Sequence, residues 1–365
     1  MDQLEGLIFM NEILQFFSGR RVMITGHTGF KGSWLADWLT FNGANVLGYA
    51  LAPEQEESHF NLLGLRDRIE HVEADIRDLS TLNATFKRFR PEILIHLAAQ
   101  ALVRRSYLDP KTTFDTNVGG TVNVLECIRC TESIRSAVLI TSDKCYLNKE
   151  WIWGYRENDE LGGHDPYSAS KAGAEIAISS YSHSYFAKRP ELGVASTRAG
   201  NVIGGGDWAV DRIVPDCIRA LMVGRPIEIR NPNATRPWQH VLEPLRGYLA
   251  LAKKIYEQPG PTHSSAWNFG PETTMVRTVG ELAEKVVQIW GSGELVVGQF
   301  NGPFEATLLQ LNCDKAKQKL GWKPALDFDT TASLTTSWYR RVHDGERPID
   351  VTHSQMQEYA RYVGQ

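Results

Sequence analysis

Ser142, Asp143 and Lys144 run consecutively, and Tyr167 and Lys171 follow within Y-S-A-S-K. A tyrosine and a lysine four residues apart on a helix share one face. The ammonium then stands near the phenol and favours its ionised form. A phenolate held in this way takes the proton of an alcohol while a cofactor takes the hydride. The Asp and Lys directly after Ser142 add a second acid/base pair. Oxidation alone does not need that pair, whereas internal oxidation followed by loss of water does.

Such a set has to be placed by a scaffold, and the first half of the chain reads as alternating strands and helices. Strands are expected over 20–25, 45–50, near 71–73, and over 93–97, 137–141 and 194–198. Helices are expected over 30–41, 79–89, 114–130 and 167–186. This alternation predicts an α/β fold, a doubly wound parallel Rossmann-type sheet with helices on both faces. Ser142 then falls at the C-terminal end of a parallel strand, where ligands of such sheets bind. After Asn201 the pattern breaks into G-G-G-D-W, a helix over 212–223 and the connection R-N-P-N-A-T-R-P-W. We read residues 1–18 as an N-terminal extension, 19–200 as a dinucleotide-binding domain, and 201–365 as mainly a smaller C-terminal substrate-binding lobe. That lobe is interleaved with the last strands of the sheet.

G-H-T-G-F-K-G carries Gly26, Thr28, Gly29, Phe30 and Gly32 between the first strand and the first helix of the sheet. Glycines there allow a tight turn and close approach of a pyrophosphate to a helix N-terminus. In H-L-A-A-Q, Ala98 and Ala99 end a strand with small residues that let a ribose approach the backbone. The end of the second strand, Gly48 to Ala52, has no acid to grip an adenosine ribose and no Arg for a 2′-phosphate. NAD is the expected cofactor, bound more loosely than where that carboxylate exists. Asp78 reads as a helix cap.

Composition excludes several classes. The 365 residues carry a net charge of -4, with no basic excess to attract nucleic acid or an anionic membrane. No apolar run is long enough to span a bilayer, and the N-terminus lacks the features of a signal peptide. Five scattered cysteines argue against a disulfide framework, and Cys127 and Cys130 form a C-x-x-C inside a helix without a second ligand pair. No histidine has zinc-ligand spacing. A cytoplasmic, metal-free protein is expected.

The longer strings I-T-S-D-K-C-Y, D-P-Y-S-A-S-K, R-A-G-N-V-I-G-G-G-D-W and R-N-P-N-A-T-R-P-W-Q-H-V resemble the extended short-chain dehydrogenase/reductase family of nucleotide-sugar enzymes. Within it they are most similar to the 4,6-dehydratases of CDP-glucose, which have Asp-Lys where other dehydratases have Asp-Glu. The resemblance implies a hydro-lyase that oxidises carbon 4 with NAD, eliminates water across carbons 5 and 6 and returns hydride to carbon 6. It assigns catalysis to Ser142, Asp143, Lys144, Tyr167 and Lys171, the last two also touching NAD. It places Asp75 and Ile76 at the adenine edge and Asn117 beneath the nicotinamide. Arg236 is the first candidate for the substrate diphosphate, with Asn201, Arg212, Arg104 and His240 as further substrate contacts. It also implies a homodimer through a four-helix bundle and a role in deoxysugar synthesis for surface glycans such as O-antigen. The alternative is a dehydratase or epimerase for another nucleotide sugar.

Overall fold

The structure, a computed structural model, describes residues 3–272, 276–298 and 308–363. Helix α1 (Gln3–Phe17) leads into β1 (Arg21–Thr25), α2 (Phe30–Phe41) and β2 (Asn45–Ala50). A short α3 (His59–Leu62) precedes β3 (Glu70–Glu73), α4 (Leu79–Phe89) and β4 (Ile93–His96). Helices α5 (Val103–Leu108), α6 (Pro110–Phe114) and α7 (Thr121–Arg129) come before β5 (Ser136–Ile140), α8 (Pro166–Ser184) and β6 (Gly193–Ala199). Then follow β7 (Val202–Ile203), α9 (Ile213–Met222), β8 (Ile227–Ile229), β9 (Thr235–Pro237), β10 (Gln239–His240), α10 (Leu242–Glu257) and β11 (Ala266–Phe269). The last elements are β12 (Val276–Thr278), α11 (Val279–Trp290), β13 (Leu295–Val297), α12 (Asp314–Leu320), α13 (Phe328–His343) and α14 (Pro348–Tyr362).

Seven strands form one sheet in the order β11-β6-β5-β4-β1-β2-β3, and every neighbouring pair is parallel. The strand order reverses between β1 and β4, which opens a crevice at their C-terminal ends. Strand alternation divides the core between the two faces. Val22 and Ile24 pack on one face with Trp34 of α2 and Leu249 of α10. Met23 packs on the other with Phe86 of α4 and Val124 of α7. Strand β11, from beyond residue 201, joins this sheet. The strand pairs β7–β10, β9–β12 and β8–β13 lie outside it.

Two expectations differ from the structure. Met10, Ile13, Leu14 and Phe17 of α1 are buried in the main core, so the later part of the expected extension belongs to the fold. Their spacing places all four on one helical face. The helix expected over 114–130 begins earlier, at Pro110, capped by Asp109, which accepts from the Thr112 amide at 3.0 Å. Over Asp115–Gly120 it widens to π-helical geometry. Ile76 packs against Gly120, where any β-carbon would collide with it.

Candidate active site

Strand β5 delivers Thr141 and Ser142 to the C-terminal edge of the sheet. Ser142 is extended and caps a 3-10 turn, Asp143–Cys145, accepting from the Lys144 amide at 3.2 Å. Its hydroxyl donates to Asp143 Oδ1 at 3.0 Å. Asp165 caps α8 by accepting from the Ser168 amide at 2.9 Å, and Pro166 occupies the first helical position. This start places Tyr167 in the first turn and Lys171 one turn later. Ser142, Asp143, Tyr167 and Lys171 are 7%, 6%, 8% and 5% exposed, and Lys144 is half-buried.

Burial dominates the protonation of this cluster. It pushes the Tyr167 phenol up to about 12, against a hydrogen bond from Ser142, while the charge of Asp143 adds to the rise and Arg212 opposes it. The Asp143 carboxyl is raised by burial, opposed by Lys144 and Lys31. Lys171 is lowered to about 8 by burial and by the positive charge of Lys31. Lys31 itself falls to about 8 through burial and the nearby Arg212. The phenol is thus raised overall, with Ser142 and Arg212 opposing the rise, whereas the sequence spacing pointed to Lys171. Lys31, hidden within the glycine motif, was not expected at the reacting cluster at all.

The glycine loop fits a dinucleotide. Gly26 has φ +78° and a β-carbon there would stand 2.6 Å from the Ala98 amide nitrogen, while one on Gly32 would run into the Gly26 carbonyl. The Gly26 amide donates to the Tyr49 carbonyl at 2.9 Å, and the Thr28 hydroxyl to that of Leu51 at 2.9 Å. Gly29 caps α2, so the free amides of its first turn face the crevice. Ala98 and Ala99 follow β4 beside this loop, partly exposed. Gly26, Thr28, Gly29, Phe30, Gly32, Ala98 and Ala99 therefore lie together at the crevice, and the close approaches at Gly26 and Gly32 are of the kind a dinucleotide-binding turn requires.

The adenine-edge candidates are less free. Arg77 engages the Asp75 carboxylate through its amide and its guanidinium, at 2.9, 2.9 and 2.6 Å. Ile76 is buried in the core. Asp78 caps α4, accepting from the Ser80 and Thr81 amides. Asn117 is satisfied by protein: it holds Gln100 through both backbone groups, at 2.8 and 3.0 Å, and donates to Ser170 at 2.9 Å. It acts by fixing α8 and the loop after β4. Glu54 pairs with Arg105 at 2.7 Å at the surface.

A cleft of about 640 Å³ brings together Ser142, Asp143, Lys144 and Tyr167 with Arg104, Asn201, Arg212 and Arg236. Arg212 donates to Asp207 at 2.8 Å, Arg104 to Asp211 at 2.8 Å, and Arg236 to the Thr235 carbonyl at 2.8 Å. His240 is a correction. It is fully buried on β10, edge-on to Trp34 at 6.0 Å, and lies outside the cleft lining because the strand turns it into the core. Lys31, Glu228 and Arg230 line the cleft and were missed. Among the described residues no His, Cys, Asp and Glu group is arranged to hold a metal, and no helix is long and apolar enough to cross a membrane.

Comparison with known proteins agrees with this geometry. The family model described as GDP-mannose 4,6 dehydratase matches residues 23–335. A CDP-glucose 4,6-dehydratase of Salmonella typhimurium is 46% identical over 350 residues, covering 94% of this chain and 97% of that protein. A UDP-glucose 4-epimerase of Mycolicibacterium smegmatis is 26% identical, covering 88% of this chain and 98% of its own. Among solved structures, the dTDP-glucose 4,6-dehydratase DesIV of Streptomyces venezuelae, with NAD bound, superposes with a TM-score of 0.73 at 23% identity. It covers 90% of this chain and 99% of that one. The epimerase Mth375 of Methanothermobacter thermautotrophicus gives a TM-score of 0.78 at 24% identity, covering 92% and 96%. The chain belongs to the GDP-mannose 4,6 dehydratase family, among the nucleotide-sugar dehydratases and epimerases of the extended short-chain dehydrogenase/reductase fold.

Proposed function

We propose that this protein is a hydro-lyase that converts CDP-glucose to CDP-4-keto-6-deoxy-glucose with NAD as its resident cofactor. The observation that carries the reading is Asp143-Lys144 beside Tyr167 in one cleft, in a chain 46% identical to a CDP-glucose 4,6-dehydratase over almost its full length. The glycine loop with Ala98 and Ala99 would hold NAD, which would supply the acceptor for hydride from carbon 4 and its return to carbon 6.

Tyr167, as phenolate, takes the proton of the 4-hydroxyl, and Ser142 orients that hydroxyl by hydrogen bonding to it. Burial raises its phenol to about 12, so ionisation draws on Ser142 and Arg212, which oppose that rise, and on the positive charge that bound NAD would bring. The resulting 4-ketone acidifies the hydrogen on carbon 5, which Lys144 removes. Asp143, which burial keeps towards its protonated form, gives its proton to the departing 6-hydroxyl, so that water leaves. Lys171 and Lys31 place positive charge beneath the reacting end, where charge develops on the sugar oxygen. Arg236 and Arg212 reach the diphosphate from the lobe, and Arg212 is already oriented by Asp207.

Two copies pair through α8 and the α6–α7 run in this reading. Phe114 and Ile176 on these helices, and Tyr185 directly after α8, are large side chains exposed to solvent. Sedimentation of the purified protein reads dimer against monomer. Mass spectrometry after incubation with NAD and, separately, CDP-glucose, dTDP-glucose and GDP-mannose tests the activity. Loss of one water from CDP-glucose alone supports the assignment, and no loss from any of the three refutes it.

A further inference from the structure

A nucleotide sugar has its sugar, diphosphate and base in fixed order, so the base must reach the part of the cleft remote from Tyr167. The charged neighbours of Tyr167 are Asp143, Arg212 and Asp165, whereas those of Arg230 are Asp211, Asp216 and Glu228. Asp143 and Arg212 line the same cleft as Asp211, Asp216 and Glu228, which therefore has two chemically distinct ends. The second end is built on β8, where Ile227 and Ile229 are 2% and 3% exposed and anchor the strand in the core. Alternation then turns Glu228 and Arg230 to the opposite face, side by side and into the cleft.

Asp211 fixes this end. Its Oδ1 accepts from Arg230 at 2.9 Å and from Arg104 at 2.8 Å, with its own backbone held at φ +62°. A non-glycine residue in that region is strained and persists where the surroundings over-determine it. Asp211 is committed to two guanidiniums, and Glu54, Asp207 and Asp216, which also line the cleft, pair with Arg105, Arg212 and Arg219, so Glu228 is the carboxylate at this end with no ion pair among the described residues. Arg230 keeps further N–H donors beyond the one that Asp211 takes.

We infer that Glu228 and Arg230 read the base, Glu228 accepting from an exocyclic amino group and Arg230 donating to the adjacent ring nitrogen and carbonyl. This rests on the CDP-glucose reading above and names the device that selects cytosine. Cytosine presents a 4-amino donor beside the N3 and O2 acceptors, the complement of a carboxylate next to a guanidinium. Uracil and thymine carry a carbonyl in place of that amine. An acceptor then faces a carboxylate, and both are left unpaired, which discriminates by repulsion as well as by lost attraction.

The test compares CDP and UDP binding by calorimetry, and kcat/KM for CDP-glucose and UDP-glucose, in the native protein and in Glu228→Ala. Losing one hydrogen bond to a charged group weakens CDP and CDP-glucose by about 10- to 100-fold. UDP and UDP-glucose hold or improve, so the preference for cytosine collapses. Glu228→Gln, which keeps an acceptor oxygen, restores part of it. Equal losses on cytosine and uracil ligands, or an unchanged preference, overturn the inference while leaving the dehydratase reading intact. A native protein that binds CDP over UDP through Glu228 but eliminates no water overturns the activity and keeps the base-reading pair.

Discussion

Replacing Glu175 by leucine removes the carboxylate at the centre of a buried network beneath the active site. Glu175 and Arg198 are each 3% exposed and meet at 2.9 Å. The carboxylate also accepts from Thr141 at 2.5 Å and Ser196 at 2.8 Å, and takes a second Arg198 bond at 3.0 Å. Without it, Arg198 keeps only neutral partners, the Tyr146 hydroxyl at 2.7 Å and the Glu157 carbonyl at 3.0 Å. A buried charge stripped of its partner costs about 3 to 5 kcal/mol. Glu175→Leu should lower the unfolding free energy by that amount at neutral pH, read as a lower denaturant midpoint with the slope of the transition unchanged. Glu175→Leu with Arg198→Met should lose less than the sum of the single changes, because an apolar pair carries no unpaired charge. The carboxyl lies below its ordinary 4.5, held there by Arg198 against burial. Its contribution is therefore complete above pH 4.5 and is lost as pH falls below that towards the folded value. Thr141 precedes Ser142, and Glu175 stands one turn after Lys171, so kcat should fall as well. A loss under about 1 kcal/mol for Glu175→Leu, or strict additivity in the double variant, would refute this reasoning.

Lys144→Ala should abolish water loss from CDP-glucose while reduced NAD accumulates in its near-ultraviolet absorption; full dehydratase activity in that variant removes Lys144 from the elimination step. Asp143→Asn should slow elimination by about 10² to 10⁴ and raise the unfolding midpoint at pH 7. The Asp143 carboxyl is raised by burial, so the cost of ionising it is absent below pH 3.8 and grows as pH rises towards the folded value. An Asp143→Asn protein no more stable than the native one at pH 7 contradicts that sign. Gly26→Ala forces a β-carbon against Ala98 at φ +78°, so NAD affinity by calorimetry should fall about 5- to 30-fold, as about 1–2 kcal/mol of backbone strain implies. Unchanged affinity with a native circular dichroism spectrum counts against NAD binding at this turn.

The parts of the site legible in the sequence are those whose geometry is local. The glycine loop, the Ser-Asp-Lys turn and the four-residue step from Tyr167 to Lys171 each sit on a single element end, and short-range spacing determines their placement. Helix α4 is legible for the same reason, since Asp78 caps it and Leu82 and Phe86 form its buried stripe, whereas α2, buried continuously over Gly32–Leu39, is marked by the glycine motif before it. Long-range packing decides the rest. Lys31 reads as one letter of a glycine motif, and only the approach of α2 to α8 and α9 sets it beside Lys171 and Arg212. Asp211, Arg104 and Arg230 are far apart in the chain and are joined by a strained turn that carries no glycine signal. His240 lies on a two-residue strand whose inward face is fixed by pairing with β7, which its neighbours in sequence do not reveal. The engagement of Asp75 was more accessible, because Arg77 two residues away is within reach of its carboxylate.

Incubation of the native protein with CDP-glucose carrying deuterium at carbon 4 tests the central claim most directly, read by mass spectrometry and proton resonance of the product. The account predicts a product lighter by one water that retains the label, now at carbon 6, with a solvent hydrogen at carbon 5. A product of unchanged mass, or one whose label has been lost to solvent, would contradict it.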